Sequence, residues 1–321
     1  MKDTNYAFCV ARIRAVENRL LSKPDVSNLI NQKDFQAALD FLSHKGYNCN
    51  FDDIDSIIRE EGSKLSELLN ESVPDKTELE ALYIVNDYFN LKALVKCVAE
   101  RTSPLEKFVY PTTVSYECKN GSLTEESFDS LSESYRKIVR EAYGYAIQSR
   151  NGRYSDIIID KAAIDTLAEL YGKRDSGLCG KIAAILADTA NIKTAFRCIA
   201  TDQKADFISE AIGKCCRLDK QKLIDCTIKG QDELLTYLLC TAYRDGAEIY
   251  KKKHSDFEKW CDDRIISELK NSIYTSFGFD PIVSYYYRKN LEIKTVRMIL
   301  TAIKSGVDRE LIKERVRSIY A

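Results

Sequence analysis

The sequence predicts an all-α protein built from three related helical-bundle units, and three observations carry that expectation. Turn-making residues are scarce, with 13 Gly and 5 Pro in 321 residues, where an average chain has roughly 7% and 5%. Apolar residues recur at the 3.6-residue spacing of a helix in segment after segment. One motif returns twice at a fixed interval. The 45% hydrophobic and 30% charged residues exclude a disordered chain, and the length suits two or three domains. Lys+Arg total 48 against 49 Asp+Glu, a net charge of −1, so nothing marks a general binder of nucleic acid or of a membrane surface.

Taken in order, a first helix is expected over 4–22, with Tyr6, Val10, Ile13, Val16 and Leu20 on one stripe and Pro24 as its stop. Helices near 34–44, closed by Gly46, and near 52–69 follow. Pro74-Asp75-Lys76-Thr77-Glu78 starts a long helix to about Arg101, with Asp75 as cap and Glu78 placed to close a capping box. Residues 108–116 have the one β-like composition and end at Asn120-Gly121; they are expected to form a loop or short strand between bundles. Leu123-Thr124-Glu125-Glu126 opens a helix to about Arg150, followed by the turn Asn151-Gly152, and further helices are expected over 155–171 and 180–200. Asp219 starts a helical run to Lys253 with a break near Gly230, and Ser255 or Asp256 starts the next. Asp280-Pro281 is a cap followed by proline at the first helical position and opens a helix to about Lys304. Gly306 ends it, and Asp308 caps a last helix with Ile312, Val316, Ile319 and Tyr320 on its apolar side.

The longest uncharged stretch is ten residues, Leu234 to Tyr243, against about 20 for a spanning helix. No direct membrane span is expected. Charge returns at Arg12 and Arg14 before a secretory apolar region develops.

Asp87-Tyr88-Phe89-Asn90-Leu91-Lys92, Asp188-Thr189-Ala190-Asn191-Ile192-Lys193 and Lys289-Asn290-Leu291-Glu292-Ile293-Lys294 share one pattern, with their lysines at equal intervals of 101 residues. Each copy leads into a helix start of one type, at Leu123-Thr124, Leu218-Asp219 and Val307-Asp308, which lie 31, 25 and 13 residues after the lysine. Kept order with a shortening connection is the mark of repeated domains rather than of a rigid solenoid. The expected units are 1–117, enlarged by extra helices over about 24–70, then 118–217 and 218–321. The last unit is short after Asp308, so its final helix is expected near the N-terminal helix, closing the units into a ring.

The eleven cysteines are odd in number, scattered and without a C-x-x-C pair. They read as reduced thiols packed as small hydrophobes, as in Val95-Lys96-Cys97 and Leu238-Leu239-Cys240. With only His44 and His254, a zinc centre lacks its clustered spacing, and both histidines fall at expected helix ends where imidazole suits the dipole. Gly180-Lys181 is followed by Ile182 and preceded by Asp175 where a phosphate loop needs glycine, and Gly213-Lys214 is followed by Cys215. No cofactor or metal is expected. The one catalytic arrangement left open is a thiol such as Cys49 or Cys215 paired with a histidine.

Asp87 and Asn90, three apart, share a helix face, as do Asp188 and Asn191, while Lys92 and Lys193 point toward Lys96 and Arg197. Two readings follow: a repeated structural network inside each bundle, or equivalent polar and basic groups offered to one central partner.

At this level of detail the residues resemble a known family. Tyr6-Ala7-Phe8-Cys9-Val10-Ala11-Arg12-Ile13-Arg14-Ala15-Val16-Glu17 resembles the opening of the C-type subunit of the V-type and archaeal A-type rotary ATPases, the d-type subunit of the eukaryotic enzyme. The segment from Asp188 to Arg197 is similar to its central motif, and Phe279-Asp280-Pro281-Ile282-Val283 with 292–300 is similar to its last domain. An arginine is commoner at the Lys294 position. The resemblance implies a funnel-like, pseudo-threefold, non-catalytic rotor connector, cytoplasmic and peripheral to the membrane. Its partners would be the membrane proteolipid ring and the D- and F-type central-stalk subunits, with torque passed between them for ATP-coupled proton or sodium transport. Candidate interface residues are Asn90, Lys92, Asn191, Lys193, Arg197, Glu292, Lys294 and Arg297 on the repeated helices, with Arg12, Arg14 and Glu17 at rim or core. A helical-repeat scaffold of another complex has the same composition and period.

Overall fold

The computed structural model describes residues 3–51, 53–102, 107–116, 123–149, 152–174, 177–270, 275 and 277–316. It is 78% helical, and no strand occurs among the described residues. The expected features at Asn120-Gly121, Asn151, Asp175, Ile319 and Tyr320 lie outside them.

In chain order the helices are α1 (Ala7–Val16), α2 (Lys23–Ile30), α3 (Phe35–His44), α4 (Ile54–Ser72), α5 (Lys76–Glu100), α6 (Glu133–Ser149), α7 (Gly152–Arg174) and α8 (Leu178–Ala200). There follow α9 (Ala205–Ala211), α10 (Lys220–Lys229), α11 (Gln231–Leu239), α12 (Arg244–Lys252), α13 (Asp256–Lys270), α14 (Asp280–Lys304) and α15 (Arg309–Arg315). The chain divides into two compact units, 1–82 together with 258–321, and 83–257, so that the boundaries fall inside α5 and α13.

In the first unit Pro24 starts a helix instead of stopping one. Ser22 caps α2 by accepting from the Asp25 amide (3.3 Å), and the Asp25 carboxylate accepts from the Ser22 amide (3.0 Å). A proline in the first turn gives up an N–H that has no intrahelical acceptor there. The expected 4–22 helix accordingly ends at Val16, followed by a 3-10 turn over Glu17–Arg19. Asp34 and Asp53 cap α3 and α4 by accepting from the Ala37 (2.8 Å) and Ser56 (2.7 Å) amides. Gly46, at φ +92, reverses the chain after α3 as a left-handed C-terminal residue. Val296, Ile299 and Leu300 of α14 form the core with Leu29, Leu42 and Ile57. Ile312 of α15 joins the same core, and Arg309 donates to the Gln32 carbonyl (2.7 Å). α14 begins at Asp280 with Pro281 in its first turn, so Phe279 rather than Asp280 stands at the cap.

In the second unit α7 packs along both α6 and α8. Leu91, Leu94 and Val98 of α5 share a core with Val139, Ile159 and Ala187. The 123–150 expectation divides into a 3-10 turn (Glu125–Ser130) and α6. The run after Asp219 breaks at Gly230, where φ is +118, and again over 240–243. Cys97 is buried as expected, whereas Cys240 is exposed. Residues 107–116 follow an irregular path, and backbone groups at Val109, Pro111 and Thr113 are taken up by side chains of α5.

Candidate functional site

The three copies of the motif lie on α5, α8 and α14, and each copy fastens another segment of chain. On α5 the buried Asp87 accepts from the Thr113 amide (2.7 Å), from the hydroxyls of Thr112 and Thr113 (2.5 Å each) and from Tyr135 (3.1 Å). Asn90 donates to the Val109 carbonyl (2.9 Å) and accepts from the Val109 amide (2.8 Å). On α8 the buried Asp188 accepts from the amides of Cys216 and Arg217 and from the Tyr243 hydroxyl, all at 2.8 Å. Asn191 accepts from the Gly213 amide (2.9 Å) and donates to the Lys214 carbonyl (3.0 Å). A Cβ on Gly213 would lie 2.7 Å from Ile164 Cγ2, so glycine permits the close approach that this fastening needs.

On α14 the corresponding positions are Lys289 and Glu292. Glu292 accepts from the Leu21 amide (2.5 Å) and the Tyr47 hydroxyl (2.8 Å). Lys289 Nζ lies 2.7 Å from Glu292 Oε1, 3.0 Å from Glu61 Oε2 and 4.6 Å from the Tyr47 ring centroid. Lys64 closes the cluster at 2.7 Å from Glu61.

Burial sets the electrostatics. It raises the pKa of Asp87 and of Asp188, against the lowering effect of the donors that face each carboxylate. Burial opposes the charge on Lys289 as well, but Glu292 and Glu61 outweigh it and hold that pKa above the ordinary lysine value. Buried polar groups satisfied to this degree specify a unique packing.

The polar atoms of Asn90, Asn191 and Glu292 are thus taken up inside the fold, and the candidates named from sequence separate into two groups. Of the basic ones, Lys92 pairs with Asp160 (2.6 Å) and its neighbour Lys96 with Asp156 (3.0 Å). Arg297 pairs with Asp55 (2.7 Å), and Arg12 with Glu71 (3.0 Å). Arg14 pairs with Glu17 (2.7 Å) and donates to the Thr275 carbonyl (3.0 Å). Lys294 is exposed. Lys193 is half-buried and Arg197 exposed, and neither has an ion-pair partner among the described residues. Sequence reasoning missed Val85 (40% exposed) and Phe89 (51% exposed), four apart on α5. The signal was in the motif: with Asp87 and Asn90 facing inward, Phe89 between them faces out.

Thiol catalysis finds no support. Burial pushes Cys215 up to about 12, with the Asp188 carboxylate adding to the effect, and burial also raises Cys49. An activated thiolate needs the opposite shift. His44 ends α3, and His254 stacks on Tyr250 at 4.2 Å. Among the described residues no group of His, Cys, Asp and Glu is arranged to hold a metal, and no helix is long and apolar enough to cross a membrane.

The profile of the ATP synthase (C/AC39) subunit family matches residues 9–315. The chain is 25% identical to the C-type subunit of the V-type sodium ATPase of Enterococcus hirae, covering 96% of this chain and 97% of that one. It is 23% identical to the C-type subunit of the A-type ATP synthase of Methanocaldococcus jannaschii (98% and 86% covered) and 25% identical to that of Desulfurococcus sp. (98% and 91%). An all-α chain that repeats one helix motif three times, matched over nearly its whole length, therefore belongs to the ATP synthase (C/AC39) subunit family.

Proposed function

We propose that this protein is the non-catalytic connector of a V-type or A-type rotary ATPase, seated on the membrane proteolipid ring and holding the D- and F-type subunits of the central stalk. The observation that carries the reading is the family match over 9–315 together with near-complete coverage of the C-type subunits of two kinds of rotary ATPase. The site chemistry supports it. A part that passes torque needs segments that do not yield, and the buried fastenings on α5, α8 and α14 tie loops to helices through several bonds each. Partners would bind the side chains that the fold leaves unneutralised. Lys193 and Arg197 are basic groups of that kind, Lys294 is a further exposed candidate, and Val85 and Phe89 supply apolar area. Each load-carrying interface would exceed about 2,000 Å². The three units would stand pseudo-threefold, as a funnel around the stalk, and the chain would be peripheral to the membrane on its cytoplasmic side through the ring.

Affinity isolation of the tagged protein from native membranes tests this. Recovery of the proteolipid and the D- and F-type stalk subunits is the expected result. Their absence from a preparation that retains the tagged chain would contradict the proposal and favour a scaffold of another assembly.

A further inference from the structure

The interval of 101 residues puts Asp87, Asp188 and Lys289 at one position and Asn90, Asn191 and Glu292 at another. For the first two copies the fastened groups come later in the chain, from 109–113 and Tyr135, and from 213–217 and Tyr243. For the third copy they come from Leu21 and Tyr47, more than 240 residues earlier.

The segments fastened by the second and third copies correspond closely, although the accepting carboxylate moves from the first motif position (Asp188) to the second (Glu292), three residues on along the helix. An amide at Arg217 bonds Asp188, a capped helix (α10) follows, then α11, then Tyr243, whose hydroxyl returns to Asp188. An amide at Leu21 bonds Glu292, a capped helix (α2) follows, then α3, then Tyr47, whose hydroxyl returns to Glu292. Amide and tyrosine are 26 residues apart in both, and α11 and α3 both begin 14 residues after the amide. The core residues coincide as well: Leu234, Leu235 and Leu238 of α11 occupy the places of Ala38, Leu39 and Leu42 of α3.

We infer that residues 21–47 are the closing half of the last repeat, so that the chain is cyclically permuted and its C-terminal repeat is completed by a strap from the N-terminal region. The helices expected to enlarge the first unit thereby belong, over this stretch, to the third. The change of chemistry at the fastening follows from the change of connectivity. A strap joined through the whole chain has a larger closure entropy to overcome than a loop tied close by in sequence. All three fastenings use a carboxylate acceptor, and the third adds a buried cation, Lys289, paired with both Glu292 and Glu61. The strap is bonded to α14 through the side chains of Glu292 and Lys289, which meet its Leu21 amide and Tyr47 side chain, and its release opens one repeat while leaving the other two closed.

Hydrogen–deuterium exchange of the full-length protein, read peptide by peptide, tests this with Tyr47→Phe and Tyr243→Phe in parallel. Losing a hydroxyl bond to a buried carboxylate should speed exchange about tenfold or more in the segment it closes. Tyr47→Phe is expected to act on 21–47 together with α14 and to leave 83–257 unchanged, and Tyr243→Phe to act on 217–243 with α8. Lys289→Met supplies a second, stronger release of the same strap. The inference is overturned if neither Tyr47→Phe nor Lys289→Met alters 21–47, or if 21–47 loosens with residues 83–100 of α5 and not with α14.

Discussion

Tyr243 and Lys289 are the two residues whose removal separates the ways this protein keeps buried charge. Tyr243→Phe leaves Asp188 with the Cys216 and Arg217 amides and removes one bond to a buried carboxylate. It should lower the unfolding free energy by about 1.5–3 kcal/mol, measured from the urea midpoint at unchanged slope. Lys289→Met removes the cation set between two buried carboxylates, leaving, among the described residues, Glu61 only Lys64 and Glu292 only the Leu21 amide and the Tyr47 hydroxyl, and should cost about 3–5 kcal/mol by the same measurement. The sequence made the positions legible but not their orientation. Spacing put Asp87 with Asn90 and Asp188 with Asn191 on shared faces, and two readings of those faces stood side by side. Only burial and named donors decide between them, because a polar pair on a helix faces a partner or a neighbouring loop with the same spacing. The Lys289–Glu292 pair was harder still, since its partners at Leu21, Tyr47 and Glu61 lie far away in sequence.

The helices that the sequence located best are those with strong local signals, such as the Asp280-Pro281 start of α14 and the Asp308 cap of α15. Those it missed are short or ambiguous. α9 has only seven residues, and α2 hides behind Pro24, which serves as readily at a helix start as at a stop. Ser22→Ala should cost about 1 kcal/mol by removing the α2 cap, read from the urea midpoint. Asp25 in the same capping box is held below its ordinary carboxylate value: burial works against this, but Lys45 and Ser22 prevail. Because the folded pKa is lowered, its contribution is present above the unfolded value of 3.8 and is lost as pH falls below it. Exchange of the α2 amides should therefore rise on acidification below pH 3.8, and that rise should be smaller in Asp25→Asn. Gly213→Ala belongs here too: the added methyl meets Ile164, and overpacking of about 1–3 kcal/mol is expected from thermal unfolding.

For the whole molecule, scarce proline and glycine and helical apolar spacing sufficed to read an all-helical chain from sequence. The period also pointed to the helices that carry the fastenings. Surface use was less legible, because exposure of a basic side chain depends on which acidic residue the fold brings beside it. Asp160 and Asp156 neutralise Lys92 and Lys96 in one copy. No such partner meets Lys193 and Arg197 in the next among the described residues.

That contrast yields the most direct test of the connector reading: coupled transport by the assembled rotary ATPase carrying Lys193→Glu with Arg197→Glu in this protein. The expected result is that the variant keeps its helical circular dichroism and the complex its ATP hydrolysis, while ATP-driven ion transport falls by about tenfold or more as a charged contact is reversed. Transport coupled as tightly as in the unaltered complex would contradict it.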